Sequence, residues 1–237
     1  MNYLKEMGAP VTYNNEVKLL MTGHDKFVDL FENIRHARHH IHLEYFNFRN
    51  DSIANALFSL LAEKAKEGVE VRAMFDAFGN WSNNQPLKER HLKSIRAQGI
   101  EIVKFDPITF PWVNHAIHRD HRKIVVIDGK IGYTGGMNIA DRYVRGTQWG
   151  TWRDTHFRIE GSGAAGLQAS FLSDWSATTK RHIAGAEYYP AAERHTDDIL
   201  QIVPSGPFGK WRALLQADSY AVSNARKRIW IQTPYYL

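Results

Sequence analysis

The chain has 237 residues, 43% hydrophobic and 23% charged, with a formal net charge of +5 and no cysteine. That length and balance support a packed core and exclude a disordered or fibrous chain, while the lack of thiols excludes a disulfide framework and thiolate chemistry. The positive charge favours anionic partners. No apolar run approaches the roughly 18 residues of a membrane-spanning helix, so any membrane contact is expected to be peripheral.

In chain order, "EVKLLM" and "HHIHLEYFNF" read as strands. Between them "HDKFVDLFENIRHA" carries Phe27, Leu30, Phe31 and Ile34 at the spacing of one helix face. "DSIANALFSLLAEKAKEG" is a helix with Asp51 or Ser52 as its cap and Gly68 at its end. "VEVRAMFD" is the next strand, "PLKERHLKSIRAQG" the next helix and "IEIVKFD" the next strand. This alternation predicts an α/β fold with parallel pairing and helices on both faces of the sheet.

An internal repeat overlies this order. "VKLLMTG", ending at Gly23, is echoed by "LQIVPSG", ending at Gly206, and "IRHARHHIHLEYF" by "VSNARKRIWIQTPYY". The expected division is a whole unit over residues 1–190 and the opening of a second over 191–237.

The chemistry concentrates in "HRDHRKIVVIDGKIGYTGGMN". His121 and Lys123 are two apart on extended chain and share a face, whereas Ile124 and Val126 face the other way. Asp128, of opposite parity and at the turn "DGK", is expected to anchor that turn or pair with a cation rather than join His121 directly. Gly135 and Gly136 leave room for a phosphate to approach the backbone, and Asn138 can donate its amide to a phosphoryl oxygen. A neutral imidazole nucleophile with lysine and asparagine steadying the oxygens suits attack on a phosphodiester. Such a histidine needs an orienting partner, for which Asp154 in "TWRDTHFRIEG" is the acidic candidate. Glu44, Tyr45 and Phe46, at a strand end, are expected to line the cleft, with Glu44 and Tyr45 as substrate-binding residues, although core packing explains the aromatics equally well. Phe110, Pro111 and Trp112 read either as a lip at a lipid interface or as ordinary loop packing. His115, His118 and His121 are not expected to bind metal, because no carboxylate lies among them and extended chain scatters their rings.

The spacing of His121, Lys123, Asp128, Gly135, Gly136 and Asn138 resembles the signature of the phospholipase D superfamily. "IHLEYFNFRND", "AKEGVEVRAMFDAFGN", "WRDTHFRIEG" and "FLSDW" extend the likeness to bacterial cardiolipin synthases. The resemblance implies a mixed, mostly parallel sheet flanked by helices on both faces, and two such motifs meeting across a pseudo-twofold. It implies His121 as nucleophile, Lys123 and Asn138 on the phosphoryl group, Asp154 orienting His121, and Asp128 within the catalytic set. It also implies phosphatidylglycerol as substrate, a peripheral site on the bacterial cell membrane, no cofactor or metal and no nucleic acid. Superfamily members often carry Gly-Ser where this chain has Gly135 and Gly136.

No second H-x-K-x4-D follows Asp128, and the step from Val17 to His121, repeated from Leu200, falls beyond Leu237. The missing partner is then expected to be a second half of the same polypeptide or a homodimer mate. Two other readings are a half-length phosphodiesterase or nuclease active as a homodimer, and a fragment that only binds phospholipid.

Overall fold

The computed structural model describes residues 2–6, 8–107, 119–193, 196–206 and 213–232. Its elements are α1 (Asn2–Glu6), β1 (Val11–Leu20), α2 (Gly23–His36), β2 (His40–Tyr45), α3 (Ser52–Lys66), β3 (Glu70–Asp76), α4 (Ala77–Trp81) and α5 (Glu89–Ala97). There follow β4 (Glu101–Phe105), β5 (Lys123–Ile127), β6 (Ile131–Gly135), α6 (Arg142–Arg145), β7 (His156–Glu160), α7 (Ala164–Thr179), β8 (Asp198–Gln201) and α8 (Ala213–Asn224). Phe110, Pro111, Trp112, His115 and His118 lie outside the described residues.

Local chemistry sets the helix starts. The Thr22 hydroxyl accepts from the Asp25 amide to cap α2, and the Asp51 carboxylate accepts from the Ala54 amide to cap α3. Helix α2 buries Phe27, Leu30 and Ile34, the stripe its periodicity predicts.

The eight strands form one sheet in the order β4-β3-β2-β5-β6-β7-β1-β8. The expected mixed sheet flanked by helices is present, but "mostly parallel" is corrected. Only β2·β3 and β3·β4 are parallel, and the five other junctions are antiparallel. The physical reason is local. The helical crossovers α3 and α5 impose parallel pairing on β2, β3 and β4, whereas Asp128 and Gly129 take positive φ (53° and 67°) and turn β5 straight back into β6.

The main core, with Leu30, Ile34, Leu57, Leu61, Leu92 and Val125, joins α2, α3 and α5 to one face of the sheet. Helix α7 covers the other, packing Leu167 on Ile124, Val126 and Ile159, and Phe171 and Trp175 on Met74 and Phe105. Strand β8, from the expected second unit, adds to the edge of β1, and none of the residues of α8 is buried. Among the described residues no helix is long and apolar enough to cross a membrane.

Candidate active site

One end of the sheet gathers the polar residues. There β2 and β3 finish at Tyr45 and Asp76, β5 starts at Lys123, β6 finishes at Gly135 and β7 starts at His156. Lys123 stands opposite Tyr45, and Gly135 opposite His156.

His121 is exposed two residues before β5, with its ring edge-on to Phe46 at 4.9 Å between centroids. Partial desolvation and then the Lys123 ammonium lower its pKa below the ordinary 6.5, against an opposing pull from Asp76. The ring is therefore neutral at pH 7 and holds a free lone pair. Lys123 is buried, donates to the His121 carbonyl and has its pKa pushed down to about 8, chiefly by desolvation, with Asp120, Asp154 and Asp76 holding the charge on. A cavity of about 270 Å³ opens here, walled by His121, Lys123, Thr134, Gly135 and Ile202.

The turn after β6 supplies the amide. Asn138 is buried, its Nδ2 donating to the Tyr143 hydroxyl at 3.2 Å and its Oδ1 accepting from the Asn47 amide at 3.4 Å, which leaves one Nδ2 hydrogen for a ligand. Gly135 has φ of 151°, and a Cβ on it would lie 2.6 Å from His156 Nδ1. A Cβ on Gly136 would lie 2.1 Å from Asp154 Oδ1. Asp154 thus occupies the space that a serine at position 136 would need. Gly136→Ala is expected to lower stability by about 1–3 kcal/mol through this overlap, read as an earlier urea midpoint. An unchanged midpoint would mean that the carboxylate swings aside freely.

Two expected placements differ, and Asp128 stays apart from His121 as its parity and turn position predict, outside the catalytic set that the resemblance implied. Asp154 makes no hydrogen bond to His121 among the described contacts. It accepts from the Thr155 amide at 2.7 Å and favours the charged forms of Lys26 and Lys123, while the carboxylate that raises the basicity of His121 is Asp76. Asp128 lies at the far end of β5, about 16 Å of extended chain from Lys123. Its carboxylate accepts from the amides of Arg38, His39 and His40 at 2.8, 2.7 and 3.0 Å. Glu44 and Tyr45 part company by strand alternation. Tyr45 faces the Lys123 side, whereas Glu44 faces α7, where Arg122 lies 3.7 Å away and also pairs with Asp174. Burial, and then Asp120, push the Glu44 carboxyl well above its ordinary range.

Four residues at the site carry no sequence motif. Asp76 is fully buried and fixes the backbone just before His121, accepting from the Asp120 amide at 2.8 Å and from Arg119. Tyr143 holds the Asn138 amide. His156 is fully buried with neither ring nitrogen hydrogen-bonded, and burial, then Lys26 and Lys123, push its pKa well down. Lys26 is the fourth. Its signal was present in the sequence, since it sits four and eight residues before Leu30 and Ile34 on the apolar stripe of α2, where a charge is out of place.

Residues 30–175 match the family model described as cardiolipin synthase, PLD-like domain. The chain belongs to that family. The cardiolipin synthase of Halalkalibacterium halodurans is 38% identical over 232 residues, covering 96% of this chain and 45% of the relative. That of a Geobacillus species is 37% identical over 97% of this chain and 46% of the relative. The chain thus spans about half the length of these curated relatives. Among solved structures, phosphatidylserine synthase of Haemophilus influenzae matches with a TM-score of 0.57 at 14% identity, covering 73% of this chain and 40% of that one. Nuc, a phospholipase D family member from Salmonella typhimurium, matches with 0.51 at 19% identity, covering 72% and 99%. Both likenesses are of fold. His121, Lys123 and Asn138 lie at one end of that fold, and Asp128 lies at the other end of β5.

Proposed function

We propose that this chain carries one half of a centre that transfers a phosphatidyl group between two phosphatidylglycerol molecules to give cardiolipin and glycerol. The observation that carries the reading is the meeting of a neutral His121, a buried charged Lys123 and the Gly135–Asn138 turn at one sheet end, in a chain of the cardiolipin synthase family.

A lone pair of the His121 ring forms the P–N bond as the P–O bond to glycerol breaks. Lys123 and the free Asn138 hydrogen stabilise charge on the non-bridging oxygens. The leaving alkoxide takes a proton from a donor that the family resemblance locates in a second motif, and the same group then deprotonates the acceptor hydroxyl. Covalent capture is what lets an alcohol replace water as acceptor. The partner supplying that second motif is the other half of the polypeptide or a homodimer mate, and the setting is the peripheral surface of a bacterial cell membrane.

The chain alone is expected to bind phosphatidylglycerol vesicles and turn over little, because losing general acid help costs about 10²- to 10⁴-fold. Cardiolipin formation is measured by mass spectrometry alongside mass in solution by light scattering. A monomer with full turnover would overturn the two-motif scheme, and a dimer that forms cardiolipin would identify the partner as a second copy of the chain, whereas a dimer that only hydrolyses the lipid would favour the half-length phosphodiesterase. In a completed enzyme, EDTA is expected to leave turnover intact, since lysine and asparagine supply the charge stabilisation. Loss of activity that added metal restores would refute this.

A further inference from the structure

Lys26 is a lysine in an expensive position. Its side chain is fully buried in the first turn of α2, where the positive end of the helix dipole disfavours a cation, and it lies close enough to Lys123 for the two charges to oppose each other. Burial drives its pKa well down, with Asp154 as the main counterweight.

Its contacts point to the site. Nζ donates to the Met137 carbonyl at 2.9 Å and to the Asn138 carbonyl at 3.3 Å, and the ammonium lies over the rings of Phe27 and Tyr45 at 4.7 and 4.9 Å. Both carbonyls belong to the turn that carries the Asn138 side chain, which keeps one Nδ2 hydrogen free. The two rings fix the ammonium from α2 and β2, so the turn is tied to the two elements that frame it. Asp154 closes the set from the other side, against Gly136.

We propose that Lys26 is a positioning residue for phosphodiester binding: it holds the backbone of Met137 and Asn138 so that the free hydrogen of the Asn138 side-chain amide aims at the phosphoryl oxygens, next to a Gly136 amide that is itself fixed by the Thr155 carbonyl. Lys26 touches no substrate itself. The proposal rests on the phosphodiester reading of the site, and the test separates the two.

The probe is glycerophosphoglycerol, the soluble headgroup of phosphatidylglycerol, titrated into the full chain and followed by amide and side-chain ¹⁵N NMR. In the wild type it is expected to shift the Gly135 and Gly136 amides and the Asn138 side chain. Lys26→Met is expected to keep the native spectrum elsewhere, including the distant His40 and Gln168 region, while displacing the 135–138 signals and weakening binding about tenfold or more, the effect of losing a charged hydrogen-bond donor. Lys26→Arg, which keeps charge and two donors, should recover part of the loss. If Lys26→Met does not fold, Lys26→Gln is read by the same criteria. A folded Lys26→Met or Lys26→Gln with native 135–138 signals and unchanged affinity overturns the proposal. A wild type that ignores the probe, with 135–138 signals still displaced in Lys26→Met, would sink the phosphodiester reading and leave Lys26 as the residue that sets the turn.

Discussion

His121→Ala is expected to remove all covalent phosphatidyl labelling of the protein while leaving its unfolding midpoint nearly unchanged. The ring is exposed and its one described ring contact is the edge of Phe46, so truncation opens no core cavity. In the proposed transfer the adduct depends on it entirely, because no other described imidazole at the site is open to solvent. His156 is buried behind Gly135, and its neighbours Lys26 and Lys123 oppose the positive charge that an attacking ring acquires. Labelled phosphatidylglycerol, a single slow turnover and a denaturing quench at alkaline pH, where a P–N bond survives, measure the adduct. Equal label on His121→Ala would move the nucleophile to another residue.

The second large effect is on stability in acid. His40 and His42, on the α7 side of β2, share Gln168: the Gln168 Oε1 lies 3.0 Å from His40 Nε2, and its Nε2 lies 2.9 Å from His42 Nδ1. His42 Nε2 continues to Glu70 at 3.1 Å. With the amide so oriented, both rings are neutral and hydrogen-bonded as donors at Nε2. Burial, then His42, pushes His40 down to about 4 from the ordinary 6.5. The unfolded chain therefore binds more protons between those values. The stabilisation is complete above about pH 6.5 and is lost as pH falls through 4, about 3 kcal/mol from His40 alone. Urea midpoints at pH 7, 5.5 and 4.5 should fall in that window and fall less in His40→Phe, which keeps the ring volume and removes the titration. Equal slopes in the two proteins would assign the acid sensitivity elsewhere, for instance to Glu70, whose carboxylate also needs to stay ionised.

What the sequence made legible and what it hid divide along physical lines. His121, Lys123, Gly135, Gly136 and Asn138 were readable because they fall in one short hairpin, where separation along the chain dictates separation in space. Strands and helices were readable from their periods. Lys26, Asp76 and Tyr143 reach the same place from α2, β3 and α6, and only tertiary pairing brings them there. The turn at Asp128-Gly129 is legible, and between two apolar runs it is a strong local sign of antiparallel return, whereas the alternation of helices and strands that predicts parallel pairing holds only on the β2-to-β4 side. Grouping Glu44 with Tyr45 overlooked that neighbours on a strand cannot share a face. The pairing of Asp154 with His121 follows from the need for an acidic partner as well as from resemblance, and the geometry within this chain instead sets Asp154 against Gly136 and the two lysines.

Asp128 also acts as a ruler. Its carboxylate clamps the three amides that lead into β2, so β5 can meet β2 only in the frame where Tyr45 faces Lys123. A slip of one residue would turn every side chain of β5 over, burying Lys123 under α7 and presenting Ile124 to the site. The four residues between the lysine and the aspartate thus measure a fixed length of strand, and the acid contributes alignment.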